Sequence, residues 1–160
     1  MAAKDILMIA VLIFSMGVGF FIIHYAVNTT VDSMVDVTAL NETEEFVDIM
    51  RGVSNMTNRM DYIIFGLFLG LIFGLIITGW FVGGNPLFMF IYFMIVTMAV
   101  IISTVFDYVW DSISGASVFG TTVTSFPITN NILSNLPLYM SAIGMLGLVV
   151  MFAKPYFQRQ

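Results

Sequence analysis

The sequence has 160 residues, of which 59% are hydrophobic and 9% are charged, and it contains no cysteine. An ordinary soluble domain is about 45–50% apolar and about 25% charged, so this composition excludes a soluble globular protein. The net charge of −5 and the lack of a basic cluster also exclude nucleic acid as a partner, because clustered Lys and Arg are needed to neutralise phosphates. We therefore expect an integral membrane protein in contact with the lipid bilayer.

Four apolar runs are long enough to cross the hydrocarbon core, which takes about 20 helical residues. The predicted spans are 6–27, 62–82, 87–106 and 136–154. The sequence thus predicts a single all-α membrane domain over 1–160, with four transmembrane helices and both termini on the same side. Three basic residues lie on the terminal side and two on the other, which favours a cytoplasmic or interior location for the termini.

The first connection, 28–61, is polar, but its apolar residues keep a helical period. They continue the first span outward and lead into the second, at Val31, Met34 and Val35 and then at Phe46, Ile49, Val53, Met56 and Met60. This spacing predicts a helical hairpin that extends beyond the bilayer.

Two pairs of carboxylates are spaced four residues apart, Asp32 with Asp36 and Asp107 with Asp111, so each pair shares one face of a helix. Such a pair either binds a cation or marks the water-facing end of a span. We favour the second interpretation, because no other metal-ligating or catalytic residue accompanies them.

The second connection, 107–135, is apolar and predicts a loop that lies against the membrane surface or a protein neighbour, with a short amphipathic helix over 129–135 after Pro127. Its apolar side chains need to be covered by lipid or protein. We expect them to form a partner surface that includes Val118, Phe119, Val123 and Phe126.

Gly66, Gly70 and Gly74 follow one another at four-residue spacing in the second span, so they share one side of the helix. Small residues in this pattern allow two helices to pack closely within a membrane. They predict a helix-packing site whose neighbour is either another span of this chain or another copy of it, which would make a homo-oligomer.

His24 is the only histidine and the only ionisable residue well inside a predicted span. A buried ionisable side chain is costly to desolvate, which makes His24 a candidate intramembrane polar site. The alternative, which we favour, is a structural histidine that is hydrogen-bonded near the end of the span. Because there is no second histidine and no cysteine to complete a metal site, we predict no metal and no cofactor.

The last quarter of the chain carries a suggestive layout. It runs through Phe126-Pro127-Ile128-Thr129, then Asn135-Leu136-Pro137-Leu138-Tyr139, then Gly144, Gly147 and Phe152-Ala153-Lys154-Pro155. In this layout the chain resembles small multi-span membrane proteins of tailless viruses that carry an internal lipid layer. The resemblance implies a structural place in a virion membrane, in contact with a capsid, and no catalytic residues.

No nucleophile and base, phosphate-binding loop or metal cluster is apparent, so we predict that the protein is not an enzyme. The leading hypothesis is a structural or assembly subunit of a membrane complex, which contacts other membrane or capsid subunits. The alternative is an oligomeric pore former, such as a holin-like protein or a small channel, although its spans offer few polar residues to line a path.

Overall fold

The structure is a computed structural model that describes residues 2–37, 43–82 and 86–157. All regular secondary structure in these ranges is helical, and four helical segments are long and apolar enough to cross a membrane. These findings confirm the predicted fold class. The turn between the two helices of the hairpin and the tight connection between the second and third spans fall partly or wholly outside the described residues.

Seven α-helices and one short 3-10 turn make up the described chain. They are α1 (Ala2–Val35), α2 (Glu44–Asn58), α3 (Met60–Val82), α4 (Pro86–Ser114), the 3-10 turn (Ser117–Phe119), α5 (Gly120–Ser125), α6 (Pro127–Leu133) and α7 (Leu136–Phe157). Both α4 and α6 begin with proline, whose fixed φ and missing N–H are favourable at the first position of a helix.

The predicted helical hairpin is present. Helix α1 continues past its apolar run to Val35, and α2 packs against it. Only Arg59 separates α2 from α3, and its N–H donates to the carbonyl oxygen of Met56. Asp32 on α1 and Asp36, which directly follows its last residue, are exposed. Because exposed charges are costly in hydrocarbon, this part of the hairpin belongs outside the bilayer.

The four long helices form a bundle in which α1 and α7 each pack against both α3 and α4. Helices α3 and α4 therefore occupy opposite corners. All four helices contribute large side chains to the buried core, among them Phe21 on α1, Phe68 on α3, Tyr92 and Trp110 on α4 and Met140 on α7.

The second connection is helical and packs against the bundle, and its position relative to the membrane surface stays a prediction. Helix α4 continues to Ser114, well beyond the predicted end at 106, and α6 begins at Pro127, two residues before the predicted start. Thr129, Ile132 and Leu133 of α6 are buried against the bundle. The apolar residues of this connection are therefore covered largely by the chain itself, because the short helices fold back onto α1, α3 and α4.

Candidate functional site

The carboxylate of Asp61 joins the start of α3 to the start of α6. Its Oδ1 accepts hydrogen bonds from the backbone N–H of Thr129 at 2.7 Å and from the Thr129 hydroxyl at 2.7 Å, and its Oδ2 accepts one from the N–H of Ile128 at 3.0 Å. The first N–H groups of a helix have no partner within the helix, and the residue before Pro127 is Phe126, which has no side-chain acceptor. Asp61, only 3% exposed, supplies the missing cap from a distant part of the chain.

A second hydrogen bond holds α6 from the side of α4. The indole N–H of Trp110 donates to Oδ1 of Asn130 at 2.9 Å. The Trp110 ring is fully buried and lies edge-on to Phe21 of α1, with ring centroids 5.0 Å apart. Helix α6 is thus fixed by polar contacts from α3 and α4.

A short chain of hydrogen bonds runs from His24 through Asn28, both on α1, to Ser54 on α2. Nε2 of His24 is 2.8 Å from Nδ2 of Asn28, and Oδ1 of Asn28 accepts a hydrogen bond from the Ser54 hydroxyl at 3.1 Å. The side-chain amide of Asn28 thus links the His24 ring to Ser54 of α2. The ring is fully buried and packs edge-on against Phe126, with centroids 4.7 Å apart.

A polar cavity of 310 Å³ opens beside His24. One wall is α1, which contributes His24, Tyr25, Asn28, Thr29 and Asp32. The other walls are Ser54 of α2 and three hydroxyl-bearing residues of α5, namely Thr121, Thr122 and Ser125. The polar site that the sequence predicts at His24 therefore lies at the edge of this cavity. The cavity is located where the apolar run of α1 ends.

A second cavity, of 330 Å³, has an apolar lining and lies between α1 and α2. Val27, Val31 and Met34 line it from α1, and Met50 and Val53 line it from α2. Beside this apolar cleft, α2 leaves Ile49 62% exposed and Met56 74% exposed.

The structure places the four residues of the expected partner surface in different environments. Phe126 is fully buried, and Phe119 packs against Phe21 and Tyr25 of α1. Val123 packs against the core, whereas Val118 is 59% exposed. The part of this connection that another protein could reach is therefore smaller than the sequence suggests, because the chain covers most of it.

The glycine stripe of the second span faces away from the rest of the chain. Gly66, Gly70 and Gly74 are exposed, and a Cβ atom built at any of them would meet open space. Among the described residues, no other span lies within contact distance of a Cβ built at Gly66 or Gly70, and a contact of the stripe with another copy stays a prediction. Close packing occurs instead on α7, where a Cβ at Gly144 would collide with Val96 and one at Gly147 with Tyr92.

Asp61, Asn130 and the hydroxyl groups of α5 were not singled out as site residues by the sequence. One signal was available: Pro127 marks a helix start, and Phe126 before it provides no acceptor for the first N–H groups. Such a start predicts an acceptor from elsewhere, although not which one. No protein-family model, no curated protein and no solved structure matches this chain.

Proposed function

We propose that the protein is a structural or assembly subunit of a membrane complex, and that it binds its partner through the hairpin of α1 and α2. The single observation that carries this proposal is the exposed apolar face of α2, where Ile49 and Met56 are largely uncovered beside the apolar cleft. An exposed apolar patch on a polar segment ordinarily marks a contact with another molecule.

The position of this face favours a protein over lipid as the partner. Helix α2 begins with Glu44 and Glu45, and Asp48 and Arg51 are exposed on the same helix as Ile49. Because charged side chains are costly in hydrocarbon, α2 belongs outside the bilayer, where lipid tails cannot cover its apolar residues. A partner helix that inserts an apolar side chain into the cleft would cover them.

The identity of the partner is a further part of the proposal. The resemblance of the last quarter to virion membrane proteins supports a capsid or another membrane subunit, with both termini on the interior side. The outward-facing Gly66 and Gly70 of α3 support a second copy of the chain as an additional neighbour within the membrane.

A photoreactive amino acid at Met56 or Ile49, incorporated in the native membrane, should give a discrete protein adduct on illumination. The matched control is Val149 on α7, which is also largely exposed but lies within the fourth span. We expect Val149 to give lipid adducts in place of this protein adduct.

The proposal is wrong if neither position on α2 gives a protein adduct, or if Val149 gives the same adduct with equal yield. The pore-forming alternative has its own signature, which is release of dye from liposomes that contain only the purified protein. We expect no release.

A further inference from the structure

The residues that line the polar cavity beside His24 determine which class of ligand it can bind. Most of its lining residues carry a hydroxyl, amide or carboxyl group, and none is lysine or arginine. An apolar ligand would leave these polar groups without partners, which costs free energy. A phosphate or carboxylate would find no positive side chain to neutralise it.

The charge of the cavity favours a cation. Asp32 is the only carboxylate in the lining, and it stands on the same side of α1 as Asn28 and His24, at successive four-residue steps. A divalent metal ion ordinarily needs more charged ligands than this, and among the residues that the structure describes no group of three His, Cys, Asp or Glu could hold one.

The remaining groups suit a donor with several N–H bonds. The side-chain carbonyl oxygen of Asn28 is held in place by the Ser54 hydroxyl, and the hydroxyl oxygens of Thr29 and Thr121 also line the cavity. A primary ammonium has three donors and no acceptor, so it can bind the Asp32 carboxylate and two such oxygens at once. A quaternary ammonium would need several aromatic faces, and the lining has Tyr25 in addition to the His24 ring.

We propose that this cavity is a binding site for a primary ammonium group, carried either by a small water-soluble amine or by the ethanolamine headgroup of a lipid. Both sources can reach it, because the cavity opens where the apolar run of α1 gives way to the exposed Asp32. The site is separate from the apolar cleft and does not depend on the proposed partner contact.

The test uses the absence of cysteine in the native chain. Ser125→Cys places a thiol in the cavity wall, and Thr124→Cys places one on the neighbouring exposed residue outside the lining. The full-length variants are reconstituted in nanodiscs of phosphatidylcholine and labelled with a thiol reagent. Ethanolamine at ten times its dissociation constant should slow labelling of the Ser125→Cys variant about ten-fold and leave labelling of the Thr124→Cys variant unchanged.

Three comparisons make the result specific. Ethylene glycol, which has the length of ethanolamine but no charge, should give no protection. Asp32→Asn in the Ser125→Cys background should abolish protection, whereas Asp36→Asn, four residues further along and just past the end of α1, should preserve it. Protection by phosphatidylethanolamine in the nanodisc, without added amine, would identify the lipid as the source, and protection by the free amine alone would identify a soluble ligand.

Several results would overturn the proposal. The first is that ethylene glycol protects the thiol as well as ethanolamine does. The second is that Asp32→Asn and Asp36→Asn reduce the protection equally. The third is that neither ethanolamine nor phosphatidylethanolamine protects the Ser125→Cys thiol. Because Asp32 and Asp36 are both exposed, neither substitution threatens the fold.

Discussion

Replacing Gly147 with alanine is expected to destabilise the bundle by about 1–3 kcal/mol, the usual cost of adding a methyl group to a well-packed core. The new Cβ would overlap the hydroxyl of Tyr92, which is fixed in the core between α4 and α7. The side chain cannot swing away, because Tyr92 is 1% exposed. Unfolding of the purified protein in mixed detergent micelles, followed by circular dichroism, would measure the change.

Two further variants test the stated cause. The Tyr92 hydroxyl is buried and has no hydrogen-bond partner among the described residues, so Tyr92→Phe should cost little by itself. Combined with Gly147→Ala it should restore part of the lost stability, because it removes the colliding atom. Gly19→Ala is the matched control, since a Cβ there meets open space, and it should leave stability unchanged or raise it slightly. A double variant no more stable than Gly147→Ala would show that the hydroxyl is not the obstacle.

Asp61→Ala is expected to cost about 3–5 kcal/mol, because it leaves the N–H groups of Ile128 and Thr129 and the Thr129 hydroxyl without their acceptor in a buried position. Asp61→Asn keeps one acceptor oxygen and should cost less, about 1–2 kcal/mol. Asp111→Ala is the control, because that carboxylate is exposed.

The fluorescence of Trp110 offers a local measurement of the same change. The buried indole is hydrogen-bonded to Asn130 of α6, so its emission should shift to longer wavelength when α6 detaches. A Trp80→Phe background leaves Trp110 as the single tryptophan. Asp61→Ala should shift the emission before global unfolding, and Asp111→Ala should not. Equal stability and emission of these two variants would contradict the capping role of Asp61.

The four spans and the hairpin could be predicted from the sequence because they depend on local patterns. Apolar runs of sufficient length define the spans, and the helical period through Val31, Met34 and Ile49 extends them outward. The burial of Phe126 could not be predicted in this way, because hydropathy does not distinguish an apolar loop that meets lipid from one that folds back onto its own bundle.

The site residues show the same limit more sharply. Asp61 and Thr129 are 68 positions apart, and nothing in either local sequence pairs them. The glycines of α3 have the more regular spacing, but the close contacts lie at Gly144 and Gly147, because the arrangement of the four helices decides which face meets a neighbour. His24 could be singled out because it is the only histidine, whereas Ser54, which donates to the neighbouring Asn28, comes from another helix.

The proposed role of the hairpin depends on one structural claim, that the second connection is part of the packed bundle and is not itself the exposed surface. Hydrogen exchange of the wild-type protein in nanodiscs tests this claim most directly, through the amides of Ile128 and Thr129. They are bonded to the buried Asp61 carboxylate and should exchange as slowly as amides within the spans. Exchange at the rate of an exposed loop would contradict the account. It would place α6 on the membrane surface, and the second connection would then be the partner surface that the sequence predicts.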